Sequence, residues 1–120
     1  MKLSKILEIL KAEAIHLNGN HILEKEFYYV SATDLMSDAL AMVCADSEET
    51  LLLTGLANAQ TLRTAGILDI NCIVLVRNKT IQHSDIELNE GSEFNLFTTG
   101  YSMYEACGLL YEAGMRTATK

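Results

Sequence analysis

The sequence predicts an α/β domain of three layers, with a largely parallel sheet of about four to five strands covered by helices on both faces. TLLLTG (50–55) and CIVLVRN (72–78) are short, continuously apolar runs of the kind found in strands buried on both sides. A helical stretch joins them, so residues 50–78 read as one complete strand–helix–strand unit, the connection that parallel strands require. Apolar runs and helix-spaced stripes then alternate along the rest of the chain, with no repeat and no linker.

In chain order, Leu3, Ile6, Leu7, Leu10 and Ala14 fall at helical spacing while Lys5, Glu8 and Lys11 face away, which predicts an amphipathic helix over 3–13. Asn18-Gly19-Asn20 is a turn signal, and FYYVS (27–31), aromatic and β-branched, reads as a strand. Met36, Ala39, Leu40 and Val43 make the next helical stripe. Thr33 is its expected N-cap, and Asp34 then stands in the first turn, where a carboxylate favours the helix dipole. In the central unit Asn58 is the N-cap, Leu62, Ala65 and Leu68 share a face, and Asp69-Ile70-Asn71 closes the helix. Ser84-x-x-Glu87 has the form of a capping box opening a short helix that Gly91 ends. FNLFTT (94–99) is the last buried strand. Ser102-x-x-Glu105 is a second capping box, Met103, Ala106, Cys107 and Leu110 define the final helix, and Gly114 suits its C-terminal cap. Residues 116–120 read as a frayed tail.

A chain of 120 residues forms one domain, 1–120, around a single core. Its net charge of −7 argues against a nucleic-acid footprint and against adsorption to an anionic membrane. Residues 31–60 carry Asp34, Asp38, Asp46, Glu48 and Glu49 without a Lys or Arg, which reads as a solvated acidic surface. Cys44, Cys72 and Cys107 form no CxxC and lie in apolar runs, so they are expected to be buried, reduced and inert. The N-terminus lacks the features of a signal peptide, and no run approaches the ~20 apolar residues of a membrane span, so the expected location is cytoplasmic. His16, His21 and His83 lack metal-pair spacing; no metal or cofactor is expected.

In open α/β sheets, ligands bind beyond the carboxyl ends of the strands. The residues there are Thr33 and Asp34, Thr54, Gly55 and Asn58, Arg77, and Thr98, Thr99 and Ser102. Helix N-termini offer backbone N–H groups to an anion, Arg77 and Lys79 add positive charge, and Gly55 and Gly100 would let backbone approach a ligand. Arg63 follows TGLANAQTL and is placed to reach back over the Thr54 loop, a surface salt bridge being its competing role. Asp34 and Asp38 stand four apart, as in an acid/base or metal pair, but a helix-start carboxylate and a solvated neighbour explain them without chemistry. No GxxxxGK[ST], GxGxxG or GxSxG is present, and no catalytic residue is assigned.

At DLMSDALA, LLLTGLANAQTLRTA, IVLVRNK and YSMYEACGLLYEAG the chain resembles stand-alone DRTGG-domain proteins, over Leu3 to Gly114. The resemblance implies a fold similar to the N-terminal domain of HPr kinase and, more remotely, of the Mur ligases. Related domains are appended to CBS-domain regulatory proteins, to a family II pyrophosphatase and to phosphotransacetylases. It also implies a regulatory role, homodimers, and genes beside those of iron-only hydrogenases. The name-giving residues transfer in part: Asp34 matches, Leu35 stands where the family has Arg, and VRNK (76–79) stands where the Thr-Gly-Gly turn would lie. The reading is a non-enzymatic, homodimeric regulatory or scaffold module that senses a small anionic ligand such as a nucleotide. The alternatives are an adaptor binding a protein partner in a redox or hydrogenase-related system without a small ligand, and a small enzyme using Asp34 with Arg63 or Arg77.

Overall fold

Two strands with no exposed residue, Thr50–Thr54 and Cys72–Leu75, lie parallel at the middle of the sheet, as their unbroken apolar character requires. The computed structural model describes residues 1–89 and 93–119. Its elements are α1 (Leu3–Leu10), β1 (Glu13–His16), β2 (Tyr29–Ala32), α2 (Met36–Met42), β3 (Thr50–Thr54), α3 (Ala59–Leu68), β4 (Cys72–Leu75), α4 (His83–Leu88), β5 (Asn95–Thr98), α5 (Met103–Glu112) and β6 (Arg116–Thr117). Short 3-10 helices occupy Asn20–Glu24 and Ser47–Glu49. The sheet order is β1-β5-β4-β3-β2-β6; β1 runs antiparallel to β5 and every other pair is parallel.

The pleat divides the core into two layers. Leu51, Leu53, Cys72, Val74, Val76 and Phe97 pack with Leu3, Ile6 and Leu10 of α1 and Ala106 and Leu110 of α5. Leu52, Ile73, Leu75 and Leu96 pack on the other side with Leu62 and Ala65 of α3 and Ile86 of α4. α2 lies against α3 on that second face, burying Met36 and Ala39. The predicted three-layer α/β/α architecture is therefore the one observed.

The central unit and the last helix form as read. Asn58 Oδ1 accepts the Gln60 N–H at 3.0 Å, and Asp69 ends α3 in the left-handed region at φ 57°. The Ser102–Glu105 capping box is complete, and Gly114 takes φ 107° just past the helix end.

Elsewhere the structure departs from the expectations. The sheet has six strands rather than four to five, because both edges were missed. α1 stops at Leu10, where Lys11 turns left-handed at φ 50°, and residues at the end of the predicted helix become β1. The frayed tail is a strand: Arg116 N–H donates to Tyr28 O and Ala118 N–H to Val30 O, satisfying the open edge of β2. α2 begins at Met36, so Thr33 is not its N-cap and Asp34 is outside its first turn. α4 starts at His83 with Gln82 before it, so Ser84 caps nothing and His83 instead pairs with Glu87 at 2.9 Å. Gly91, expected to end that helix, lies outside the described residues. Cys44, expected on a buried stripe, is exposed beyond the end of α2; Cys72 is buried and Cys107 half-buried.

Candidate functional site

Parallel β2, β3, β4 and β5 deliver their carboxyl ends to one edge, where backbone hydrogen bonds lock the loops together. β4 runs into a tight turn in which Lys79 N–H donates to Val76 O and both central residues, Arg77 and Asn78, have positive φ (58° and 56°). That is the pattern of a type I′ turn. It occupies the position where the resemblance places Thr-Gly-Gly, so the left-handed backbone that glycines adopt freely is here imposed on Arg and Asn. Arg77 N–H donates to Tyr101 O at 2.9 Å and Asn78 N–H to Thr99 O at 2.8 Å, while Thr98 Oγ1 donates to Lys79 O at 2.7 Å. Val76 N–H donates to Thr54 O, which ties the same turn to β3.

This anchored turn carries the Arg77 side chain across the loop after β3. A Cβ added to Gly55 would stand 2.5 Å from Arg77 Nη2 and 3.1 Å from Asp34 Oδ1, so a side chain there would push the guanidinium out of its present position. Gly100 is close-packed in the same way, 3.3 Å from Asn78 Nδ2. Neither glycine has positive φ, and at both the near neighbours are the ends of side chains, Arg77 and Asp34 at Gly55 and Asn78 at Gly100. Gly55 N–H donates to Asp34 Oδ1 at 2.6 Å, Thr54 Oγ1 reaches the same oxygen at 3.5 Å, and Arg77 Nη2 lies 4.0 Å from Oδ2. The Arg77 and Asp34 side chains are 46% and 54% exposed, so their ion pair stabilises the loop by only about 0–1 kcal/mol. The short charge-assisted bond from Gly55 is the stronger contact.

Asp34, Thr54, Gly55 and Arg77 are thus brought together. The other expected residues, Arg63 apart, serve the fold. Thr33 Oγ1 accepts the Leu35 N–H at 3.1 Å, and Asn58 and Ser102 cap α3 and α5. Thr99 is buried, and its hydroxyl donates to Leu10 O at the end of α1. Thr98 holds the turn. Arg63 lies exposed on α3 and makes no salt bridge among the described residues. Those residues also contain no cluster of three or more His, Cys, Asp or Glu arranged to hold a metal.

The sequence reading missed a larger feature. An apolar groove of about 730 Å³ runs along α5 beside β2 and β6, lined by Val30, Ala32, Tyr101, Tyr104, Tyr111 and Met115 among others. Its signal was the i, i+7 spacing of Tyr104 and Tyr111, which places both on one helix face, 88% and 72% exposed. A smaller cavity of about 260 Å³ lies at the opposite edge, where Asp69 and Glu93 make it hostile to anions. Neither cavity takes in Asp34, Arg63 or Arg77. Arg77 and Asn78 were read as the end of a strand, although Asn is a turn signal because it tolerates the left-handed region.

In sequence, the chain matches no protein-family model and no curated protein. In structure, it is similar to the CBS and DRTGG domains of the regulatory region of a pyrophosphatase from Clostridium perfringens, solved in complex with its activator, diadenosine tetraphosphate. The TM-score is 0.69 at 18% identity, and the match covers 95% of this chain and 47% of the other. The chain therefore spans about half the length of that neighbour. At this identity the likeness is one of fold, and it bears out the fold expected from the DRTGG resemblance.

Proposed function

We propose that this domain, built on the fold found in a pyrophosphatase's regulatory region, is a regulatory module that senses a small anionic ligand such as a nucleotide. The ligand site is the carboxyl edge of its sheet. The observation that carries this reading is the Arg77 guanidinium beside the Gly55 N–H group, both already set around the Asp34 carboxylate, on a turn fixed by backbone bonds to both neighbouring loops. Loop N–H and guanidinium donors set around one carboxylate are of the kind that bind anions. The neighbouring structure's nucleotide activator is consistent with it. A role without catalysis is part of the proposal: Asp34 lies on a loop amide, Arg63 stands apart on α3, and the residues offered for an enzyme do not converge in either cavity.

A thermal-shift screen with nucleotides and acyl phosphates tests it, because a ligand at a hundred times its Kd stabilises the folded state by about 2.7 kcal/mol. The expected result is a rise in Tm with a nucleotide that Arg77→Ala abolishes. No rise with any compound would remove the reading.

The groove along α5 favours a second reading, in which the module acts through protein contact, as a homodimer or as an adaptor for another protein. Exposed Tyr104 and Tyr111 on an apolar face are of the composition that interfaces bury. Sedimentation across micromolar concentrations separates a dimer from a monomer that needs a different partner.

A further inference from the structure

We propose that Asp34 is an internal substitute for the ligand. Its carboxylate occupies the anion position at the carboxyl edge, and a ligand of higher charge, of the diphosphate class, must displace it to bind. This rests on the reading of that edge as an anion site and adds how the site is regulated and what it selects.

Asp34 reaches out of its own segment to take the Gly55 N–H at 2.6 Å, with Thr54 Oγ1 and Arg77 Nη2 arranged around the same carboxylate. An external anion using that N–H and that guanidinium would place its charge where the carboxylate now is. The two repel at such distances, so binding is an exchange. A monoanion replaces one negative charge by another and gains little. A diphosphate brings additional charge and acceptor oxygens to Arg77 and the exposed Lys79.

The surroundings suit an exchange. The Arg77 backbone stays in place when Asp34 leaves, because it is held by Tyr101 and its turn by Thr54 and Thr99. Asp34 lies between the end of β2 at Ala32 and the start of α2 at Met36, so it can swing out without breaking either element. The movement would pull directly on Leu35 at the start of α2, which makes that helix the reporter of occupancy.

Calorimetric titration with inorganic pyrophosphate tests the latch on the full chain. Asp34→Ala, which vacates the position, and Asp34→Asn, which keeps its shape without charge, should each bind about tenfold more tightly than the parent, equivalent to ~1.4 kcal/mol. Asp38→Asn, exposed in the first turn of α2, makes the same change in net charge and should alter affinity by no more than about twofold, since its carboxylate does not occupy the anion position and an exposed charge is screened. Arg77→Ala should remove binding in the parent and in the Asp34 variants alike. If the Asp34 variants bind no tighter, or Asp38→Asn gains as much, the latch is wrong while Arg77-dependent binding leaves the site standing. If no folded variant binds pyrophosphate, site and latch fall together. Circular dichroism establishes folding in each case.

Discussion

Arg77 holds a left-handed backbone that costs a residue with a Cβ roughly 1–2 kcal/mol, and it sits where glycine would be relaxed. Arg77→Gly should therefore raise stability in urea unfolding by about 1 kcal/mol, whereas Arg77→Ala, keeping the Cβ, should not. Both should lose anion binding; a loss of stability in the glycine variant would contradict the strained turn. Thr99 is the converse case, a residue expected at a ligand that is instead committed to the core. Thr99→Val should destabilise by about 1–3 kcal/mol through the unpaired Leu10 carbonyl and leave pyrophosphate binding unchanged. The sequence placed both residues at the carboxyl edge of the sheet, where they stand. It could not assign their roles, because each role depends on a partner far along the chain: Gly55 and Asp34 for Arg77, Leu10 for Thr99. Asp34 was misread for the same reason, as a helix-start carboxylate, when its bond is to Gly55 N–H.

At the scale of elements, strong local signals were legible and weak ones were not. β3, α3, β4 and α5 are marked by continuous apolar runs, an Asn cap and a capping box; all form where read, except that β4 ends at Leu75 and the last residues of CIVLVRN make the turn. β1 and β6 are short and partly exposed, with no alternation to read; they exist because the neighbouring strands offer unpaired edges. A chain ended after Met115 should consequently lose roughly 2–5 kcal/mol of stability, since Ala118 is fully buried and its backbone binds Val30, Cys44 and Ala45. A truly frayed tail could be removed without effect, and chemical denaturation distinguishes the two. The thiols report the same packing. Burial raises the Cys72 thiol far above its ordinary range and also raises Cys107. Native-state labelling should modify exposed Cys44 first, Cys107 slowly, and Cys72 only on unfolding. Fast reaction of Cys72 would mean that β4 opens readily.

The molecule as a whole carries a net charge of −7 and places one arginine beside the Gly55 amide, which the Asp34 carboxylate occupies, at the carboxyl edge of its sheet. No helix among the described residues is long and apolar enough to cross a membrane. The three-layer class was legible because alternation of buried runs with amphipathic helices admits few other arrangements. The groove along α5 was not, since Tyr104 and Tyr111 become a surface only when β2 and β6 stand beside them. Long-range repulsion from the acidic surface should weaken any anion site at low salt, so affinity belongs near physiological ionic strength. The measurement that bears most directly on the central claim is an amide shift map of the labelled protein titrated with inorganic pyrophosphate. The amides of Gly55, Arg77 and Asn78 should move most, followed by Asp34 and Leu35 as the carboxylate is displaced. Shifts concentrated instead at the opposite edge, at Asn18–Asn20 and Asp69–Asn71, would contradict the account.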